Sequence, residues 1–184
     1  MALFFVTGPS GAGKSQITTA LRGRGYAAYD TDDDALARWQ NKSTGYVHPK
    51  SSVKPEMRTS EFLADHDWNV PREYIEELAE NAHNSPVFVL GIANNYDALR
   101  DLFAHTFALH IDGETMAYRL QTRTGNDWGK QPHELQQSLE ANQGAQERWR
   151  KLGYTIIDAT QPLDHIVTEI VDTAIAHEPI GDGS

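Results

Sequence analysis

Residues 3–15 read Leu3-Phe4-Phe5-Val6-Thr7-Gly8-Pro9-Ser10-Gly11-Ala12-Gly13-Lys14-Ser15, and this stretch decides the fold. Gly8, four residues, then Gly13-Lys14-Ser15 is the spacing of a phosphate loop. It lies where such a loop must lie, after an apolar strand and before a helix. Glycines let the backbone wrap closely around a phosphate chain, while successive amides and the helix N-terminus supply fixed positive potential. Lys14 then reaches the β and γ phosphates and Ser15 can ligate Mg²⁺. Gly8, Ser10, Gly11, Ala12, Gly13, Lys14 and Ser15 are therefore the candidate nucleotide-binding residues, Lys14 with a catalytic role and Ser15 as a metal ligand. An ordinary glycine-rich turn has no need of this spacing in this context.

Outward from the loop, the pattern alternates strand and helix. Ile17, Ala20 and Leu21 recur at helical spacing until Gly23 and Gly25. Tyr26–Tyr29 reads as a second strand, closed by Asp30-Thr31-Asp32-Asp33-Asp34, and residues 35–40 look helical. Thr31 and Asp34 have the spacing of a capping box, which assigns Asp33 and Asp34 to a helix start. Residues 41–70 are polar and lack a clean period. Pro71 suits a helix first turn, with Ile75, Leu78, Ala79 and Ala82 on one face, and Pro86–Gly91 reads as a buried strand. Residues 96–103 form a short helix, 106–111 a fourth strand and 113–123 a helix burying Met116 and Leu120. A long helix runs from Pro132 to about Lys151, Tyr154–Ile157 is a fifth strand, and a last helix spans 162–176. Five strands alternating with helices predict an α/β fold: a parallel sheet covered on both faces.

The 184 residues suit one domain, here 1–176 with a polar tail at 177–184. No apolar run approaches the ~20 residues of a spanning helix, so no membrane partner is expected. With no cysteine there are no disulfides and no thiolate metal sites, which fits a cytoplasmic protein. Sixteen Lys and Arg against 26 Asp and Glu give a formal net charge of -10, which repels a nucleic-acid backbone. The acids are spread over both halves of the chain, so neither half is a basic nucleic-acid domain. One local exception is basic: Arg38, Lys42, Lys50, Lys54 and Arg58 stand against the single acid Glu56. The eight histidines include no His-x-x-x-His pair.

A switch GTPase would show Asp-x-x-Gly after the third strand and an Asn-Lys-x-Asp base-reading motif; the chain has neither. A mechanical ATPase would end a hydrophobic strand in Asp or Asp-Glu, whereas Val87–Leu90 runs into Gly91-Ile92-Ala93-Asn94-Asn95. What remains is a transferase or a sensor of the nucleotide.

On the phosphate loop, on Tyr29-Asp30-Thr31-Asp32, on Arg119 with Arg123, and on Ile157-Asp158-Ala159-Thr160, the chain resembles the small P-loop kinases of the nucleoside monophosphate kinase fold, in the shikimate kinase and gluconate kinase branch. The resemblance implies a three-layer P-loop fold with a five-stranded sheet in order 2-3-1-4-5 and a small lid, with ATP over the carboxyl ends of the strands. It implies Asp30 in the water shell of a Mg²⁺ ion, and Asp32 orienting the acceptor hydroxyl or accepting its proton. Arg123 becomes the catalytic cation of a lid at about 123–132, with Gly125 and Gly129 at its ends. Arg119 and Thr160 fall on the nucleotide side. The acceptor then sits against an insert at about 35–83, where Arg38 and Arg58, together with Asp32 and Gly91, are the candidate substrate-binding residues. Arginine's planar fork suits carboxylate or phosphate, so the expected activity is transfer of the γ-phosphoryl of ATP to a hydroxyl of a small anionic metabolite. A nucleoside or nucleotide kinase, an antibiotic-modifying kinase and a non-catalytic ATP-binding regulator stay open as alternatives, and nothing in the chain specifies an oligomeric state.

Overall fold

A computed structural model describes residues 2–32, 34, 36–49, 52–81, 85–124 and 126–177. Within them the strands are β1 (Leu3–Thr7), β2 (Ala27–Asp30), β3 (Arg38–Asn41), β4 (His66–Asn69), β5 (Val87–Leu90), β6 (His105–His110) and β7 (Thr155–Asp158). The α-helices are α1 (Lys14–Gly23), α2 (Ser60–Asp65), α3 (Arg72–Asn81), α4 (Gly113–Thr122), α5 (Pro132–Asn142), α6 (Ala145–Lys151) and α7 (Leu163–Ala176). Lys50, Asp33, Ala35, Ala82, Gly125 and the tail from 178 lie outside the described residues, as does any role expected of them.

The parallel sheet runs β2-β5-β1-β6-β7. Counted within the sheet this is 2-3-1-4-5, the expected order; the chain numbering differs because β3 and β4 intervene as a separate antiparallel hairpin. Every residue of β1 is buried because both of its faces are covered. Phe4 and Val6 face Ile17, Leu21, Met116, Leu120 and Ile170, while Leu3 and Phe5 face Ile75, Tyr96 and Leu99. Each large side chain so buried contributes about 2 kcal/mol. These two cores fix the carboxyl ends of β1, β2 and β5 beside one another, and that edge carries the site.

Four local expectations are corrected. Residues 38–40 are strand, not helix: Trp39 lies directly opposite Trp68 in the β3–β4 pair, and that cross-strand contact overrides local propensity. Asp34 caps no helix. Its Oδ2 accepts from the Asp30 amide at 2.6 Å and pairs with Arg22, because the chain after Thr31 turns into the hairpin. Residues 96–102 form a 3-10 helix. The long helix after Pro132 is broken into α5 and α6 at Gly144, whose φ of 67° is left-handed and closed to most side chains.

The hairpin is pinned to the sheet by two side chains beyond β5. Asn94 Oδ1 accepts from the Trp68 amide at 2.9 Å, and the Asn94 amide donates to Trp68 O at 2.7 Å. Asn95 Oδ1 accepts from the Val70 amide and its Nδ2 donates to Val70 O. These amides copy a backbone ladder where no strand is available.

Candidate active site

Helix α1 begins at Gly13 with no side-chain cap and no acidic residue in its first turn. Its leading amides have no intrahelical acceptor, so they stay open to a ligand's anionic oxygens. Helix α4 offers the contrast, because Asp112 occupies its N-terminus and accepts from the Thr115 amide at 2.7 Å. Gly8 and Ser10 line a cleft of about 1070 Å³ at the edge of the loop. Ala12 is buried and its amide closes an internal turn on Pro9 O at 3.1 Å.

Lys14 folds back over the loop, where its Nζ donates to Gly8 O at 2.8 Å and Pro9 O at 2.9 Å. Burial pushes its pKa down from 10.5 to about 8, against the pull of Asp32 and then Asp30, and Arg123 adds repulsion. Ser15 Oγ donates to Asp30 Oδ2 at 2.8 Å, and Asp30 is 3% exposed. A hydroxyl and a buried carboxylate in contact, beside open amides, is a donor set of the hard kind that Mg²⁺ takes when phosphate oxygens and water complete its shell. The residues therefore fit a nucleotide-borne Mg²⁺, with Ser15 and Asp30 as its protein side.

Asp32 is exposed to the cleft. Its amide donates to Asp30 Oδ1 at 2.9 Å, and its own Oδ1 accepts from the Trp68 indole N–H at 3.1 Å. Between the two acids, Thr31 is wholly buried against Gly91. Gly91 was expected to meet the acceptor, but it sits behind the site; its neighbours Ile92, Ala93 and Asn94 line the cleft.

Arg123 stands just beyond α4, at its C-cap. Burial depresses its pKa in spite of Asp32, Asp127 and Glu134. Its Nη2 donates to Trp128 O at 2.6 Å, while its buried Nε has no partner. Two desolvated cations, Lys14 and Arg123, thus bear on each other with Asp30 and Asp32 close by. Arg119 lies one turn before Arg123 and clasps the loop instead: Nη1 donates to Gly11 O at 3.2 Å, and both Nη atoms donate to Ala159 O. Thr160 belongs to the same turn; its hydroxyl and amide donate to Asp158, whose pKa is held down to about 2 chiefly by hydrogen bonds from Thr160 and Gln161. Arg119 and Thr160 are therefore neighbours across the loop.

The basic segment does not converge as expected. Arg38 lies on the far face of the hairpin from Trp39, in a smaller cavity with Gln40 and Asn69, because strand residues alternate sides. Lys42 lines the cleft beside Asp67 at 3.6 Å. Arg58 does reach the cleft, lies over the Trp128 ring, and pairs with Asp127 and with Glu134, which is fully buried. Glu134 also accepts from the Gly129 amide at 2.8 Å. The residues before α2 thus meet the stretch before α5, and α5 itself, at Arg58. Lys130 caps the end of α4 through Gln121 O and Arg123 O.

Sequence reasoning missed Glu134, Asn94, Asn95 and Trp68. Glu134 reads in the sequence as an ordinary first-turn acid of α5, and its burial beside Ser138 one turn on has no signal in the sequence.

No protein-family model matches the chain, and no curated protein matches it in sequence. Solved structures match over nearly its whole length. A gluconokinase from Sinorhizobium meliloti 1021 is 23% identical with a TM-score of 0.53, covering 95% of this chain and 92% of that one. A shikimate kinase from Acinetobacter baumannii, in complex with shikimate, is 14% identical with a TM-score of 0.60, covering 97% and 95%. A sugar kinase from a Janibacter species is 20% identical with a TM-score of 0.55, covering 97% and 96%. At these identities the likeness is one of fold, and the chain has the P-loop fold of these small kinases.

Proposed function

We propose that the protein is an ATP-dependent kinase that transfers the γ-phosphoryl group to a hydroxyl of a small, anionic metabolite, working in the cytoplasm as its cysteine-free composition suggests. One observation carries the reading: Lys14, Arg123, Asp32 and the Ser15–Asp30 pair bear on one another at the carboxyl edge of the sheet. Asp32 takes up the acceptor's proton as its oxygen bonds to phosphorus, and the bond to the ADP oxygen breaks. Trp68 orients that carboxylate through its indole N–H. Lys14 and Arg123 stabilise charge on the transferring group, and the uncapped N-terminus of α1 holds the phosphates. Mg²⁺ held by Ser15 and Asp30 would neutralise charge between the β and γ phosphates. Arg119 and Thr160 fall on the nucleotide side, whereas Arg58 and Lys42, paired with Asp127, Glu134 and Asp67, are the cations that reach the acceptor side of the cleft.

The test is coupled ADP release with Mg²⁺ and ATP, with and without pooled sugar acids, hydroxy acids, nucleosides and aminoglycosides. Acceptor-stimulated release that disappears in Lys14→Ala is the expected result. Unchanged turnover in that variant refutes the mechanism.

A further inference from the structure

All four tryptophans of the chain, Trp39, Trp68, Trp128 and Trp149, line the same cleft. None is buried, although each belongs to a different segment: β3, β4, the lid and α6. Trp68 and Trp149 also pack against the core around Phe5 and Tyr96, whereas Trp39 and Trp128 belong to neither core cluster. The Trp39 ring lies 5.1 Å from Trp68 and 6.5 Å from Trp128, so the indoles form a continuous wall from insert to lid. That wall reaches the chemistry, because the Trp68 indole N–H is bonded to Asp32.

Tyr96, 7% exposed, lines the same cleft, with Thr31 and Asp32 near its hydroxyl. The cleft, about 1070 Å³, has room for a whole acceptor and not only a phosphate chain.

We infer that the acceptor is a hydroxyl-bearing ring compound whose ring face lies against the wall of Trp39, Trp68 and Trp128, with one hydroxyl at Asp32. The inference rests on the phosphotransfer reading and deepens it by excluding open-chain acids as the principal acceptors. Flat heterocycles stack on indole π-faces, and alicyclic rings pack their C–H faces there, so the shared chemistry is the ring face.

The full chain is titrated with uridine and adenosine, with shikimate and myo-inositol, and with the open-chain acids gluconate and glycerate. Tryptophan emission and ADP release are both read. The expected result is that a ring probe perturbs indole emission and stimulates ADP release. Trp39→Leu and Trp128→Leu should each raise its Kd or KM about tenfold, while Trp39→Phe and Trp128→Phe stay within about threefold. Trp128→Leu, in the lid, keeps the test alive if Trp39→Leu unfolds the hairpin. Response to nucleosides or to the alicyclic polyols distinguishes the two sources of the ring. Stimulation by gluconate or glycerate alone overturns the inference and leaves phosphotransfer standing. Leucine variants that bind the ring probe like the wild type overturn it, as does a set of ring probes that leaves both emission and ADP release unchanged. Ring-induced emission changes with no ADP release from any probe keep the ring site and refute phosphotransfer.

Discussion

Replacing Gly91 by Ala tests how the two acids of the site are held. A Cβ at Gly91 would meet Thr31 Oγ1 at 1.8 Å and the Thr31 Cβ and Cγ2 at 2.6 Å. Rotating the Thr31 side chain removes one of these clashes and leaves the Cβ. The Thr31 backbone cannot retreat freely, because its amide donates to Leu90 O at 2.8 Å and its carbonyl accepts from the Ala37 amide at 3.0 Å. Relief therefore requires about 1 Å of movement in a strand end, beyond the usual overpacking cost of ~1–3 kcal/mol, so we expect a loss of about 3 kcal/mol. With a urea m-value of about 2 kcal/mol/M the unfolding midpoint drops by about 1.5 M. Thr31 lies between Asp30 and Asp32, so folded Gly91→Ala protein should also lose about a hundredfold in kcat, the scale of a 1 Å misplacement. The double variant Gly91→Ala/Thr31→Gly, which removes all three clashing atoms, should recover most of the stability. A single variant with wild-type midpoint and turnover refutes the packing argument. Failure of the double variant to recover stability, with the single variant destabilised, shows that Gly91 is needed for something other than space.

Four further outcomes follow from the same geometry. Lys14 titrates near pH 8 in the nucleotide-free protein, and phosphate oxygens raise its pKa, so ATP binding at pH 8 should take up about 0.5 proton, read as a buffer-dependent enthalpy absent from Lys14→Met. The same depressed lysine destabilises the folded state fully below about pH 8. That cost fades as the pH rises toward 10.5, where the unfolded lysine also loses its proton, so wild type should gain stability relative to Lys14→Met across that window. Glu134→Gln keeps an acceptor for the Gly129 amide but strips Arg58 of its buried counter-charge at 3.2 Å, which should cost about 3 kcal/mol in urea unfolding; a change under about 0.5 kcal/mol sinks the idea that this pair joins the residues before α2 to α5. Asp32→Asn should lower kcat by about 10²–10⁴ while ATP binding, measured calorimetrically, stays near wild type.

The parts of the fold legible in the sequence were those whose signal is local. The phosphate loop and the five parallel strands follow from the Gly8–Ser15 spacing and from apolar runs closed by glycine or acid, while the strand order was implied by the resemblance. The hairpin was illegible because it is made by contacts distant in sequence: Trp39 pairs with Trp68, and Asn94 and Asn95 supply its attachment from the end of β5. Read locally, Arg38-Trp39-Gln40 has no period. Read against Trp68 it has a period of two, and that sends Arg38 away from the cleft. At the site, the loop spacing pointed to Lys14 and the resemblance to Asp30, Asp32 and Arg123, and the structure brings these four side chains near one another. Arg58 was identifiable as a cation, but its binding to Glu134 was not, since a buried acid in α5 has the same letters as a solvated one.

The layout of the site explains how an acidic protein attracts an anionic nucleotide. A net charge of -10 repels ATP at distances where salt has not yet screened it. The field must therefore reverse within a few ångströms of the loop, and the structure arranges this by omission as much as by cations. Helix α1 carries no acid in its first turn, and Arg22, in its last turn, already pairs with Asp34. Lys14 and Arg123 are both desolvated, against the offsetting charge of Asp30 and Asp32 at Lys14 and of Asp32, Asp127 and Glu134 at Arg123, and the Arg123 Nε has no partner. Each cation is raised in energy by burial, Lys14 also by Arg123, and a bound phosphoryl group lowers both at once. Such strain in the unliganded state favours the most highly charged occupant, so the triphosphate should bind better than the diphosphate it leaves behind.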